Sequence, residues 1–273
     1  MNKTEELFSH HPAVVGMVHL PPLPGSPGWD PAVDRMETVL EKALRDARAI
    51  EQGGAAGIMI ENFFDSPFTG GRVEAHTSAA LSICVHEIQK TVSIPVGVNV
   101  LRNDGLTAVS ISAVTAARFV RVNVLTHAMV TDQGIIQGKA YEISRLRSFL
   151  GTKALLFADV MVKHAYPFGD MDVAVAAKDI AHRGGADVLV VSGSGTGAPI
   201  DEEELQTVRD AVPGFPLASG SGITPENIGR FGPLLDVIIV GTWIKKEGKV
   251  ENPVDQDRVR RLVVLAAGAG SVH

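Results

Sequence analysis

The chain has 273 residues, of which 45% are hydrophobic, and a formal net charge of −6. That length suits either one barrel of roughly 250 residues or two ordinary domains. An acidic balance without clustered Lys or Arg argues against nucleic acid, or an anionic membrane surface, as the main partner. The longest apolar stretch, Leu262–Ala267, is shorter than the roughly 18 residues of a membrane span. We therefore expect a globular cytoplasmic protein without a signal peptide, and the single Cys84 excludes a disulfide framework.

Short apolar runs alternate with longer amphipathic segments, which is the pattern of a β/α protein. The runs that we predict to be strands are Ala13–Val18, Gly57–Ile60, Ile94–Val100, Phe119–Asn123, Lys153–Val160, Val188–Val191, Pro216–Ala218 and Val237–Val240. The segments that we predict to be helices are Asp30–Gly53, Val73–Thr91, Lys139–Leu150, Asp172–Arg183, one that begins at Asp201, a short one after Thr224, and Pro253–Ala267. This alternation predicts eight strand–helix units.

Two segments fall outside this alternation. Residues 1–12 are predicted to be a polar N-terminal tail. The polar connection from Thr126 to Gly138 separates the fourth strand from the next helix. Because a connection of that length inside a compact domain is usually functional, we predict that it is a lid.

Eight such units predict an α/β fold, a single (β/α)8 TIM barrel of one domain over residues 1–273. The rival is a doubly wound sheet that binds a dinucleotide. Gly193–Ala198 matches its G-x-G-x-x-A signature, but Pro199 intervenes before the helix and no acidic residue follows about 20 positions later. The context therefore favours the barrel.

Polar residues stand at the ends of the predicted strands, and in a barrel all strand ends meet at one catalytic mouth. Buried polar groups are costly without a purpose, so this set predicts a site. The residues that we predict to be catalytic are Asp159, His164, Lys163, Glu61 and His19, and those that we predict to bind substrate are Asn62, Asn99, Arg121 and Asn123. A carboxylate, an amine and an imidazole near one strand end are suited to proton transfer beside a carbonyl or a phosphosugar.

Several of these residues have a structural interpretation as well. Glu61 is either a second acid/base or the ion-pair partner of Arg121 across neighbouring strand ends. A Schiff base at Lys163 is the minor alternative, because a loop lysine is more often solvated. His19 is either functional or packed within its proline-rich loop. No metal site is predicted, since no tight ligand spacing is present.

Small residues follow the last three predicted strands, where they allow backbone N–H groups to approach an anion closely. Barrels commonly bind phosphate in the loops after their seventh and eighth strands. The residues that we predict to bind phosphate are Ser192, Gly193, Ser194, Gly220, Ser221, Gly222, Gly241 and Thr242. Trp243 is expected to cover this phosphate loop or to pack under the last helix, and Lys245 is expected to be a surface charge.

Longer strings of residues resemble the BtpA family over essentially the whole chain. The strings that carry the resemblance are Gly16–Pro27, Glu61–Phe63, Gly97–Asp104, Arg121–Asn123, Val130–Gly138, Ala158–Val160 with Val162–Ala165, and Val191–Gly193. The resemblance implies a ribulose-phosphate-binding-type barrel. For the family's cyanobacterial namesake it implies a role in photosystem I biogenesis.

Three classes of function remain open. The first is an isomerase, lyase or transferase that acts on a phosphorylated small molecule, without a cofactor. The second is a non-catalytic assembly or regulatory factor, as the namesake's role suggests. The third is a phosphohydrolase, although the chain has no Walker-type string. The expected partner is a phosphorylated small molecule, and a homo-oligomer is left open.

Overall fold

The computed structural model describes residues 3–8, 10–193 and 200–269. The strands in these ranges are β1 (Ala13–His19), β2 (Gly57–Glu61), β3 (Val96–Asn99), β4 (Phe119–Val122), β5 (Ala128–Thr131), β6 (Gly134–Gln137), β7 (Leu155–Asp159), β8 (Ala165–Pro167), β9 (Val188–Val191), β10 (Leu217–Ser219) and β11 (Val237–Val240). The α-helices are α1 (Lys3–Leu7), α2 (Met36–Gln52), α3 (Ala75–Thr91), α4 (Gly105–Thr115), α5 (Ala140–Leu150), α6 (Val173–Lys178), α7 (Glu202–Ala211), α8 (Ile228–Phe231) and α9 (Gln256–Ala269). None of the described helices is long and apolar enough to cross a lipid bilayer.

Eight parallel strands close into a barrel in the order β1-β11-β10-β9-β7-β4-β3-β2. Each strand corresponds to one of the predicted apolar runs, so the predicted (β/α)8 fold is confirmed. Strands that are buried on both faces consist of continuous apolar runs, so the sequence pattern identifies them. All eight strands run in one direction, so their carboxyl ends share one mouth.

The core has two layers because side chains alternate across each strand. Outward-facing residues such as Val14 and Val18 pack against the helices. Inward-facing residues such as Met17, Phe119 and Phe157 fill the barrel interior. Gly97 is required here, because a Cβ at this position would lie 2.2 Å from the Phe119 ring.

The N-terminal segment differs from the predicted polar tail. Residues Lys3–Leu7 form α1, and Phe8 is only 2% exposed. The Phe8 ring lies edge-on to Phe119 at 5.7 Å, inside the same cluster as the barrel interior. Phe8 therefore closes the N-terminal end of the barrel. Because the neighbouring residues are polar, the sequence pattern did not indicate that this aromatic side chain is buried.

The helix predicted to begin at Asp30 begins instead at Met36. Asp30 accepts a hydrogen bond from the Ala32 N–H, and Arg35 donates to the Pro31 carbonyl oxygen, so these residues form a separate turn. Arg35 has extended backbone angles, φ −140° and ψ 144°, which interrupt the path into the helix. The Asp-Pro pair thus starts a turn rather than a helix.

The connection from Thr126 to Gly138 has secondary structure of its own. It forms the hairpin β5–β6, and β8 pairs with β5 to complete an antiparallel three-stranded sheet in the order β6-β5-β8. A small apolar cluster that includes Met129, Ile136 and Val162 lies beneath it. The sheet lies at the mouth of the barrel, because Asp132 in the hairpin turn lines the cavity described below. Its action as a lid stays a prediction.

Lys245 is not the surface charge that the sequence suggested. Its side chain is 1% exposed, and Nζ donates to Asp46 Oδ2 at 2.8 Å. Asp46 Oδ1 also accepts a hydrogen bond from the Val254 N–H at 3.2 Å. The buried pair therefore joins α2 to the segment that leads into α9. Its two members are far apart in sequence, so no local pattern indicated it.

Candidate functional site

A cavity of about 730 Å³ opens at the carboxyl-terminal mouth of the barrel. Its volume is in the range of pockets that bind small metabolites. Aromatic side chains line part of it, namely Phe63, Phe64, Phe68 and Trp243. The predicted site residues that also line it are His19, Glu61, Arg121, Asn123, Asp159, Lys163, His164, Gly220, Ser221, Gly222, Gly241 and Thr242. Most of the residues that we predicted from their positions at strand ends therefore lie around one cavity.

Arg121 pairs with Asp159 rather than with Glu61. Its Nε and Nη2 donate to the two carboxylate oxygens of Asp159 at 2.8 Å and 2.9 Å. Asn123 Nδ2 donates to the same carboxylate at 3.0 Å. Glu61 is on β2 and Arg121 is on β4, and β3 lies between these strands. The expected Glu61–Arg121 ion pair is therefore wrong, and the bidentate geometry holds Asp159 and Arg121 rigidly.

Glu61 has a different environment from Asp159. It is buried at the end of β2 and accepts a hydrogen bond from Asn99 Nδ2 at 2.7 Å. Burial raises the pKa of the Glu61 carboxyl, while Arg121, Lys163 and Asn99 oppose that shift. A carboxyl with a raised pKa in a cavity is suited to proton exchange near neutral pH.

Lys163 and His164 follow β7, but they are exposed to different degrees. Lys163 is partly buried rather than the solvated loop lysine that was expected, and its Nζ donates to the Gly220 carbonyl oxygen at 3.1 Å. Burial, with Arg121 as the next cause, lowers the pKa of the Lys163 amine to about 8. His164 is exposed at the rim of the cavity.

His19 ends β1 and is packed rather than solvated. Its ring stacks on Phe63 at a centroid distance of 4.4 Å. Burial lowers the pKa of the His19 imidazole well below its usual value, and the charges of Lys245 and Lys163 add to this shift. Its buried Nδ1 has no hydrogen-bond partner within the described residues. His19 is therefore a neutral ring in the cavity wall.

The remaining predicted amides lie behind the cavity. Asn62 Oδ1 accepts from the Leu101 N–H at 2.8 Å, and its Nδ2 donates to Asp65 at 3.1 Å, so Asn62 ties the loop after β2 to the loop after β3. Asn99 contacts Glu61 as described. Neither residue is part of the cavity wall. Their binding of substrate stays a prediction, although the geometry gives both a positioning role.

The predicted phosphate residues divide into two groups. Gly220, Ser221 and Gly222 line the cavity together with Gly241 and Thr242, and these three are called the phosphate loop hereafter because the sequence predicts that they bind phosphate. Ser192 is buried with its Oγ 3.4 Å from Arg121 Nη2, and Ser192 and Gly193 are not part of the cavity wall. Ser194 lies outside the described residues.

The phosphate loop needs glycine for physical reasons. A Cβ on Gly220 would lie 2.2 Å from Ser192 Oγ and 2.7 Å from Arg121 Nη2. Gly222 has a φ of +76°, in the left-handed region that favours glycine. Between them, the Oγ of Ser221 is buried and has no hydrogen-bond partner in the described chain. Ser221 thus lines the cavity, and its hydroxyl is an unsatisfied polar group buried within the wall.

The strand-end rule missed Arg102, which also lines the cavity. Arg102 is 8% exposed, and its guanidinium donates to the Lys163 carbonyl oxygen. It stands three positions beyond the end of β3, so a rule confined to strand ends did not reach it. The feature that could have identified Arg102 from the sequence is an arginine among the apolar and amide residues of Asn99–Asn103.

No group of three His, Cys, Asp or Glu side chains in the described ranges is arranged to hold a metal ion.

Comparison with solved structures agrees with the barrel. Thiamine phosphate pyrophosphorylase of Pyrococcus furiosus gives a TM-score of 0.58 at 13% identity, with 98% of this chain and 99% of that chain covered. The N-(5'-phosphoribosyl)anthranilate isomerase of the same organism gives 0.57 at 13% identity, with 95% and 100% covered. Similarity at this level of identity shows a shared fold.

Sequence comparison places the chain more narrowly. An uncharacterized protein of Thermococcus kodakarensis is 46% identical over 253 residues, which is 93% of this chain and 94% of its own length. The photosystem I biogenesis protein BtpA of Synechocystis is 40% identical over 262 residues, which is 96% of this chain and 90% of its own length. The sequence pattern of the BtpA family matches residues 10–268. With similarity along nearly its whole length, the chain belongs to the BtpA family.

Proposed function

We propose that the protein binds a phosphorylated small metabolite at the mouth of the barrel and acts on it as an isomerase, a lyase or a transferase. The observation that carries this proposal is the phosphate loop, with the unpartnered hydroxyl of Ser221 beside the left-handed Gly222 at the cavity wall. A buried donor without a partner is costly, and a phosphate oxygen would satisfy it. Gly241 and Thr242 supply the facing side of the cradle.

The charges around the cavity support an anionic ligand. Arg102, Arg121 and Lys163 all line it. Asp159 neutralises Arg121 through the bidentate pair. Asp132 is exposed, so solvent screens its charge. Arg102 and Lys163 are therefore the cations available to a phosphate dianion.

The titratable groups support chemistry rather than binding alone. Burial raises the pKa of Glu61 and lowers that of Lys163 to about 8, so both shifts are toward neutral pH. A carboxyl whose pKa is raised and an amine whose pKa is lowered exchange protons with a ligand more readily than unperturbed groups do. The names of the structural neighbours, a phosphate pyrophosphorylase and a phosphoribosyl compound isomerase, agree with this class of substrate. The proposal itself depends on the loop, because barrels host many unrelated chemistries.

The test is the melting temperature of the protein against a panel of phosphosugars, nucleotides and inorganic phosphate. Ligand at about 100 times its Kd should add about 2.7 kcal/mol to the free energy of unfolding. The variant Gly222→Asp should abolish the shift by placing a carboxylate in the cradle. Its matched control is Gly214→Asp, since Gly214 has a φ of +73° and its Cβ would meet nothing within 4 Å.

Two results would contradict the proposal. One is a panel in which no phosphate compound raises the melting temperature. The other is a shift that Gly222→Asp and Gly214→Asp reduce equally, because the loss would then come from backbone strain rather than from the cradle. Release of inorganic phosphate from the ligand would instead identify the phosphohydrolase.

A second candidate is a role as an assembly factor, and one surface favours it. Val130 pairs with Ile135 on one side and with Tyr166 on the other, and all three side chains are exposed. Exposed apolar patches often mark protein contacts. The Synechocystis relative is named for photosystem I biogenesis. An assembly factor would tolerate Glu61→Gln and fail on Tyr166→Lys, whereas an enzyme would show the reverse.

A further inference from the structure

Lys163 lies directly beside the phosphate loop. Its Nζ is 3.1 Å from the carbonyl oxygen of Gly220, the first residue of that loop, and it faces the cavity. Within the described part of the chain Lys163 forms no salt bridge, although Glu61, Asp159, Arg102 and Arg121 are close enough to influence it. A carbonyl oxygen orients an amine without neutralising it, so the amine remains available to a ligand.

We infer that Lys163 is a nucleophile that forms a Schiff base with a small phosphorylated aldehyde or ketone. The inference rests on the proposed function, because it names the substrate class of the same cavity. A phosphate held by Ser221 and Gly222 would keep the rest of the ligand next to Nζ. Only a short carbon chain would therefore separate the phosphate from the reacting carbonyl, and Phe63 and Phe64 would line the remaining space.

The covalent step is balanced without an oxidant or a reductant. The lone pair of Nζ attacks the carbonyl carbon as the C=O π bond breaks, and one proton passes from Nζ to the oxygen to give a neutral carbinolamine. The C–O bond then breaks, the oxygen leaves as water after taking a second proton, and the nitrogen lone pair forms the C=N bond. Glu61 lines the same cavity and is suited to donate this proton. The net reaction consumes the amine, the carbonyl and one proton, and yields an iminium ion and water.

The electrostatics favour this role over that of a simple cation. Burial, Arg121 and Arg102 lower the pKa of Lys163, and Asp159 and Glu61 oppose the shift, with a net value of about 8. About a tenth of the amine is then neutral at pH 7, whereas an ordinary lysine with a pKa of about 10.4 is almost fully protonated. Only the neutral amine can attack a carbonyl.

Reductive trapping tests the inference. The full-length protein is incubated with glyceraldehyde 3-phosphate or dihydroxyacetone phosphate and then treated with sodium borohydride, which converts an iminium ion to a stable secondary amine. We expect one adduct in the intact mass, located on Lys163 by peptide mapping. The matched variant Lys163→Arg keeps the charge and should reduce the adduct at least tenfold. Inorganic phosphate should compete, and the trapping rate should rise with pH around a midpoint near 8.

Two outcomes would overturn the inference. In the first, the label is spread over exposed lysines such as Lys178 and Lys249 and is unchanged in Lys163→Arg. In the second, neither compound gives an adduct even though both raise the melting temperature. The second result would leave the proposed phosphate site intact, so the two proposals fail separately. Circular dichroism of Lys163→Arg verifies that loss of the adduct does not come from unfolding.

Discussion

Two lysines follow barrel strands and point into the protein, yet their surroundings differ. Lys245, after β11, is 1% exposed and donates to the Asp46 carboxylate at 2.8 Å. Lys163, after β7, faces the cavity and donates to the Gly220 carbonyl oxygen at 3.1 Å. Burial lowers the pKa of both amines, but for Lys245 the adjacent Asp46 is the main opposing influence. The first lysine has its counter-ion within the fold, and the second is left for a ligand.

This difference separates the structural charge of Lys245 from the functional charge that we propose for Lys163. A paired buried charge stabilises only as long as both partners are present. A buried amine without a dedicated carboxylate destabilises the fold, and such groups persist where function requires them. Lys245 is the more deeply buried of the two lysines, and the identity of the acceptor atom separates them further.

The largest effect that we predict is for Lys245→Met. The substitution removes the buried cation at Asp46 Oδ2 and leaves the exposed Arg45 as the remaining cation of that carboxylate. The free energy of unfolding should therefore fall by about 3 kcal/mol, at the low end of the range for a broken buried pair. Urea denaturation followed by circular dichroism measures it. The double variant Asp46→Asn with Lys245→Met should recover part of the loss. A loss below about 1 kcal/mol in the single variant would mean that the pair is effectively solvated.

The opposite sign is expected for Lys163→Met. At pH 7 both the folded and the unfolded protein carry the protonated amine, and removing its buried charge should stabilise by at most about 3 kcal/mol. Between pH 8 and 10.5 the unfolded state binds more protons than the folded state, so the wild type gains stability as pH rises and the advantage of the variant shrinks. Denaturation of both proteins from pH 7 to 10 tests this, and a pH-independent difference would contradict it.

A smaller effect is expected for Asn62→Ala. The change removes the acceptor of the Leu101 N–H and the donor to Asp65, so about 1–3 kcal/mol of stability should be lost. Because Asn62 lies behind the cavity, the Kd of the ligand should change little in the protein that remains folded. A large rise in Kd without loss of stability would show that Asn62 contacts the substrate after all.

The smallest effect on stability is expected for Ser221→Ala. Its buried hydroxyl has no partner in the described residues, so removing it should not lower the free energy of unfolding and should raise it by at most about 1 kcal/mol. The rise in melting temperature caused by a phosphorylated ligand should nevertheless fall, since one donor to the phosphate is lost. The control is Ser78→Ala on the partly buried face of α3. Equal ligand shifts in the wild type and in Ser221→Ala would remove Ser221 from the site.

The sequence predicted the strands well because each one is a short apolar run that is buried on both faces. It also predicted the mouth, since one geometrical rule places every strand end together. It did not predict the partner of Arg121. Register explains that pair, because Arg121 aligns with Phe157 on the adjacent strand and Asp159 follows two residues later on the same face.

Other contacts could not be predicted because the residues that form them are distant in sequence. Phe8 meets Phe119, and Lys245 meets Asp46, only after the barrel closes. The third strand that pairs with the β5–β6 hairpin is β8, which begins 28 residues after the end of β6. No local sequence pattern predicts this pairing. Arg102 was missed because its position in the loop, rather than its residue type, brings it to the cavity.

The most direct test is a crystal structure of the protein with the phosphorylated compound that raises its melting temperature most. The phosphate should accept hydrogen bonds from the phosphate loop, with a contact to Ser221 Oγ, and the other end of the compound should lie against Lys163. A phosphate bound by Arg102 alone, or outside the cavity, with the phosphate loop empty, would contradict the account.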